Sequence, residues 1–163
     1  MKTLINKLLP EQVSAFWNVI KYALEESLPP FVHDHPDKMN RVLTSILCGN
    51  IDVWASYNKL PDETIKFESI AVTQELYDEP SGTKSLLIYC LFGYDYIDEE
   101  SWTQKFSTVI KAAKELGCVQ VTAYSNVEKV IESAKKFGGD TSYTFISFDV
   151  DETVKKFNGL LGS

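Results

Sequence analysis

Two stretches of this chain carry side chains whose types and spacing could do chemistry. The first is His33-Asp34-His35 with Asp37. Alternate histidines could share a metal ion on an extended backbone, yet the spacing supplies no third ligand. The flanking Pro29-Pro30 and Pro36 fit an exposed loop that leads into a helix cap, so no metal is expected there. The second stretch is Tyr94-Asp95-Tyr96-Ile97-Asp98-Glu99-Glu100, which sets four carboxylates within six residues at the head of a helix. Carboxylates at that position stabilise the helix start and repel a phosphate. Tyr89, Phe92, Tyr94 and Tyr96 could line an acyl or peptide groove, although strands are enriched in aromatics for packing reasons alone. Cys90 could be a nucleophile only beside a histidine, and both histidines lie in one distant loop. A buried, unreactive thiol is the reading for Cys90, because free cysteine is among the most buried residue types.

A βαβ unit must position the acidic stretch. Residues 86–92 are an unbroken apolar run bounded by Gly93, which reads as a strand buried on both faces. Residues 98–116 read as a helix capped by Asp98 and stopped by Gly117, with Trp102, Phe106, Val109, Ile110 and Ala113 facing inward. Residues 118–124 return as a strand, parallel and adjacent to the first through a right-handed crossover, the two splayed where the first ends. Phe16, Trp17, Ile20, Ile88, Leu91, Phe106, Val109 and Ile110 are the expected core.

Upstream, residues 3–8 could form a short edge strand. Pro10 and Glu11 start a helix that runs to about Ser27 on the stripe Val13, Phe16, Trp17, Ile20 and Leu24. Leu28-Pro29-Pro30-Phe31 ends it. A second helix carries Met39, Val42, Leu43, Ile46 and Leu47, and Gly49 stops it. Residues 51–57 and 64–76 should form an antiparallel hairpin around the polar turn 59–63. Downstream, Ser125-Asn126-Val127-Glu128 has the form of a capping box, followed by a helix burying Val127, Val130, Ile131, Ala134 and Phe137 and ending at Gly138-Gly139. Residues 143–150 alternate as a final strand, and one short helix could follow Asp151.

With 163 residues, 44% of them hydrophobic, the chain suits one domain over residues 1–163 with a core that needs no staples. A net charge of −7 disfavours nucleic acid and anionic membrane surfaces. Cys48, Cys90 and Cys118 lack paired-cysteine spacing and read as reduced. Asn6 and Lys7 interrupt the N-terminal apolar residues before a signal-peptide core accumulates, so a cytoplasmic protein is expected.

The resulting order, β-α-α-β-β-β-α-β-α-β, resembles the GNAT (Gcn5-related N-acetyltransferase) superfamily over nearly the whole chain. Residues 112–126, Ala-Ala-Lys-Glu-Leu-Gly-Cys-Val-Gln-Val-Thr-Ala-Tyr-Ser-Asn, look like that family's third helix, fifth strand and motif-B asparagine, here Asn126. Trp54 and Trp102 add a likeness to the divergent GNAT-like proteins of bacteriophages. The resemblance implies an α/β fold with a mixed, mostly antiparallel twisted sheet and helices on both faces, the acyl-CoA N-acyltransferase fold.

That family holds the pyrophosphate of coenzyme A on a Gln/Arg-x-x-Gly-x-Gly/Ala loop, where glycine lets the backbone approach the phosphates. Residues 94–100 have neither glycine nor a basic residue. The family's frequent general-acid tyrosine would fall at Ser133 or Ala134, and neither can replace it. Two readings follow. In one, the chain is a GNAT-like scaffold that binds no cofactor and serves as a protein-binding or structural component, of the phage type it resembles, whose partner is another protein. In the other, it is an acetyl-CoA-dependent N-acetyltransferase with Glu68 as base and Phe92, Gly93 and Asn126 at the coenzyme. A lone glutamate on a strand, as Glu68 is, more often faces solvent.

Overall fold

A computed structural model describes residues 5–29 and 32–162. Parts of the expected N-terminal strand (residues 3 and 4) and of the helix stop (Pro30 and Phe31) lie outside the described residues. The described chain divides into two compact units, one ending at Tyr124 and one beginning at Ser125.

The first unit is built on a five-stranded sheet in the order β1-β2-β3-β4-β5: β1 (Asn6–Lys7), β2 (Asp52–Lys59), β3 (Ile65–Asp78), β4 (Thr83–Gly93) and β5 (Cys118–Ala123). The first three pairings are antiparallel, and β4 with β5 is parallel. Four helices pack on it: α1 (Pro10–Ala15), α2 (Trp17–Ser27), α3 (Lys38–Leu47) and α4 (Glu99–Glu115). Among the described residues no helix is long and apolar enough to cross a membrane.

Strand alternation explains the two layers, because neighbouring residues along a strand point to opposite faces. Val53, Ala55, Ile70 and Val72 join Val13, Ile20, Leu24 and Ile46 of α1–α3 in one core. Trp54 and Ala71 belong to a second cluster, against which Ala112 of α4 packs. Leu86 joins Val109 and Ala113 of α4 in a third. The Trp54 indole donates to the Thr73 hydroxyl at 2.9 Å, so the one polar atom of a large buried ring is satisfied.

Several expectations need correcting. The helix expected from Pro10 to Ser27 is two helices, broken at Phe16 (φ −111°, ψ 22°). The break sets the Phe16 ring edge-on against Phe67 with 5.2 Å between centroids, so packing overrides a periodicity that runs through it. Along α4, Lys105, Val109 and Ala113 are the buried residues, while Ile110 is exposed, because the inward stripe is centred on positions 105, 109 and 113 and Ile110 lies at its margin. Leu91 is also exposed; it pairs with Ala71 and so shares the α4 face, beyond the last residue that pairs with β5. Phe16, Trp17, Ile88 and Phe106 are half-buried, and Ile20 and Val109 fully so.

The second unit contains α5 (Glu128–Lys136) and α6 (Val150–Leu161). The capping box does not form: the helix is capped by Val127, and the Ser125 hydroxyl instead accepts from the Val127 N–H at 3.1 Å. The expected buried face of α5 is not buried, since two helices in a unit of this size provide no second layer to cover Val127, Val130 and Phe137. Residues 143–149 are not a strand. A strand needs a ladder partner, and the described elements of this unit are helices.

Leu86 is fully buried on β4, between β3 and β5. Leu86→Ala should lower unfolding free energy by about 2 to 5 kcal/mol, measured by chemical denaturation. A loss under about 1 kcal/mol would move the core of the first unit elsewhere.

Candidate functional site at the end of the central strand

The site begins with a fault in the β3/β4 ladder. Val72 pairs with Cys90 but Thr73 pairs with Ile88, which leaves Tyr89 as an extra residue on β4. An extra residue bends a strand and increases its twist. The pairing of β4 with β5 stops at the same point, Ile88 opposite Ala123, while β4 runs on to Gly93. The two parallel strands therefore part at the bulge, and the edge of residues 89–93 on that side continues without β5.

Beyond Gly93 the loop folds back on its own side chains. The Tyr94 N–H donates to the Glu68 carbonyl at 2.9 Å, and the Tyr94 hydroxyl donates to the Val19 carbonyl of α2 at 2.7 Å. Its ring lies 5.1 Å from Phe92 and 6.3 Å from Phe67. Burial pushes the Tyr94 hydroxyl far above the usual phenol range, with the neighbouring Tyr22 adding to it. Ile97 is buried over Gly93: a side chain at position 93 would meet the Asp95 carbonyl oxygen and Ile97 Cδ1, each at 3.3 Å. Glycine is needed here because the chain's own loop, rather than a ligand, approaches it closely. Asp98 caps α4, its carboxylate accepting from the Ser101 N–H at 2.8 Å. Lys66 reaches Asp95 at 3.2 Å.

Glu68, on β3, is half-buried instead of facing solvent. Its Oε1 lies 3.5 Å from Nζ of Lys105, whose side chain is only 4% exposed. The other oxygen, Oε2, is buried and has no hydrogen-bond partner among the described residues. Lys105 was missed from the sequence because lysine is normally assigned to a solvated helix face. Its spacing from Trp102, Val109 and Ala113, at three, four and eight residues, put it on the inward stripe all along.

The remaining sequence candidates play structural parts or belong to the second unit. Phe92 packs edge-on against Tyr22 and Tyr94. Asn126 is exposed and belongs to the second unit. Cys90 is buried, and burial pushes its thiol up to about 11, partly opposed by the Ser27 hydroxyl. His35 Nδ1 accepts from the Asp37 N–H at 3.0 Å, and Asp34 pairs with Lys38 at 3.2 Å. Among the described residues no group of three or more His, Cys, Asp or Glu could hold a metal ion.

The end of β4 and the head of α4 therefore present two different surfaces. The splayed edge of β4 suits an extended arm carrying amides, which can pair with a free strand edge. The first turn of α4 does not suit a diphosphate: Asp98 already holds a backbone donor there, Glu99 and Glu100 surround it with like charge, and Ile97 closes the loop onto Gly93.

Comparison of the sequence with protein-family models finds no match, and comparison with curated proteins finds none either. Comparison of the structure is informative. An acetyltransferase of Clostridium acetobutylicum crystallised with acetyl-CoA superposes with a TM-score of 0.66 at 14% identity, covering 91% of this chain and 96% of the other. An aminoglycoside acetyltransferase from a soil metagenomic sample, in complex with sisomicin, gives 0.65 at 14% identity, covering 91% and 95%. Glucosamine-6-phosphate N-acetyltransferase of Arabidopsis thaliana gives 0.63 at 13%, covering 91% and 99%. The fold is that of the GNAT acetyltransferases.

Two outcomes test this description. Lys105→Met should destabilise the protein by about 2 to 4 kcal/mol by stranding the Glu68 carboxylate, and Glu68→Leu in the same chain should restore most of the loss in a double-mutant cycle. Additive losses would mean that the two side chains are not coupled. The second outcome concerns pH. Cys90, Tyr89 and Tyr94 are all held neutral by burial, so each binds its proton more tightly folded than unfolded. The contribution of Cys90 is complete below the unfolded thiol value of 9.0 and is lost as pH rises through about 11, while those of Tyr89 and Tyr94 are complete below the unfolded phenol value of 10.0 and are lost above it. Denaturation midpoints should therefore fall steadily over that range.

Proposed function

We propose that this GNAT-fold chain transfers an acyl group from a thioester donor, acetyl-CoA or a relative of it, to an amine, with Glu68 as the base. The observation that carries this reading is the Glu68 carboxylate, buried beside Lys105 with Oε2 unpaired. Leaving a buried polar atom without a partner costs about 1 to 3 kcal/mol, which fold stability alone does not explain. An atom that takes up a proton during a reaction has a reason to be kept that way. The likeness in fold to acetyltransferases, one of them crystallised with acetyl-CoA, supports the same reading.

The donor supplies an acyl group on sulfur. The neutral acceptor nitrogen forms a bond to the acyl carbon as the carbon–sulfur bond breaks, the sulfur leaves with that electron pair as a thiolate, and the proton lost by the amine goes to Glu68, which then returns it to the departing thiolate. Lys105 supplies the opposite charge beside Glu68 and fixes its Oε1, so that Oε2 is the oxygen left to work. The net charge of −7 steers a cationic amine toward the protein.

A second reading is favoured by one observation, the filled turn before α4: a GNAT scaffold that has given up the coenzyme and binds another protein through the rim of Asp95, Asp98, Glu99 and Glu100. Titration calorimetry with acetyl-CoA, followed by transfer assays on a panel of polyamines, aminoglycosides and peptide amines, separates the two. The acyltransferase reading expects measurable binding, and a kcat lowered about 100-fold or more in Glu68→Gln. Absence of both binding and transfer would leave the scaffold reading in its place.

A further inference from the structure

We infer that Glu68 reaches its working position through a bulge in β3 and is held there by Ser69, a positioning residue tied to Ser56; this rests on the acyltransferase reading above. The register of β3, the faces its residues occupy and the bonds that close the bulge lead to it.

The β2/β3 ladder runs regularly from Asp52 opposite Thr73 to Ser56 opposite Ser69, but the next residue of β2, Tyr57, stands opposite Phe67. Glu68 is therefore an extra residue on β3. Before the fault, Ile70 and Val72 point into the α1–α3 core, and Ser69 and Ala71 point to the α4 side. A regular ladder would set residue 68 opposite Tyr57, inside that apolar core, where a carboxylate would be stranded. Instead Phe67 occupies the core, edge-on to Phe16, and Glu68 turns to the α4 side and meets Lys105. Re-aiming one side chain is what a bulge does to a strand.

A bulged residue is left out of the ladder, so other bonds must fix it. From β2, the Ser56 hydroxyl shares a hydrogen bond of 2.6 Å with the Ser69 hydroxyl, and both serines are fully buried. From the other side, the N–H of Tyr94 donates to the Glu68 carbonyl at 2.9 Å. Residue 68 is thus gripped from both of its neighbouring segments. Two buried hydroxyls add little net stability over an apolar pair of the same shape, so stability alone gives no reason for them. Among the described residues the buried polar side chains Ser56, Ser69, Thr73 and Lys105 all stand on the α4 side of the sheet. Thr73 serves the Trp54 indole and Lys105 serves Glu68, which leaves the serine pair to close the bulge that carries the base.

The test is steady-state transfer from acetyl-CoA to the best amine of the panel, on the whole chain. The double variant Ser56→Ala, Ser69→Ala removes both hydroxyls and strands neither, so its thermal midpoint should stay close to that of the unchanged chain. Its kcat should fall about tenfold or more, with KM for both substrates within about twofold, because a displaced base slows the reaction without weakening binding. In a Glu68→Gln background the same two changes should alter kcat by less than about twofold, since the serines act through the carboxylate. An unchanged kcat in the double variant, or an equal loss in both backgrounds, would overturn the inference and leave the acyltransferase reading standing. On the unchanged chain, cross-strand proton contacts measured by NMR should join Tyr57 to Phe67; a pairing of Tyr57 with Glu68 would overturn the inference whether or not the variants fold. Absence of transfer by the unchanged chain would overturn both.

Discussion

One extra residue in one strand sets the geometry of everything that follows it. Tyr89 has no place in the β3/β4 ladder, so β4 bends there, and β5 stops pairing with it at the preceding residue. The remainder of β4 is held by β3 alone on one side, down to Gly93 opposite Ser69. Had the ladder been regular, β4 and β5 could have stayed in register and sealed the edge that a ligand arm could use. The bulge also fixes where the following loop begins, and hence that Tyr94 starts within hydrogen-bond reach of Glu68.

The two charged groups near this point are handled in opposite ways. Around α4, charge is neutralised locally and near water: Asp98 by a backbone donor, Asp95 by Lys66. At Glu68 and Lys105 it is taken out of water, where attraction between the partners must offset the loss of hydration, and where the long separation of 3.5 Å makes that offset incomplete. Structural ion pairs are usually shorter and better satisfied than this one. The contrast is why chemistry is assigned to the buried pair and exclusion to the exposed loop.

The sequence made the fold readable because its signals were local. The apolar run of residues 86–92, the Asp98 cap and the Gly117 stop each depend on a few neighbours, and all are found; Gly117 indeed adopts φ +78°. What escaped depended on distant partners. The break at Phe16 reflects Phe67, fifty-one residues away in sequence, and the fate of residues 143–149 turns on whether another strand is within reach. The site was half legible. Glu68 could be named as a carboxylate of interest, but its partner sits on another element, and no periodicity of β3 points to α4. The Tyr89 bulge was invisible, because an inserted residue inside an unbroken apolar run leaves no trace in composition.

The modest first strand has a consequence of its own. β1 is only Asn6–Lys7, and it closes one side of the sheet next to β2, with Lys7 paired to Asp52 at 3.2 Å. A long, flat, apolar strand at that border would offer a row of unpaired backbone groups on which another molecule's strand could add. Among the described residues β1 covers β2 only at Trp54 and Ala55, so a two-residue strand with a lysine and its ion pair is what meets an incoming strand there.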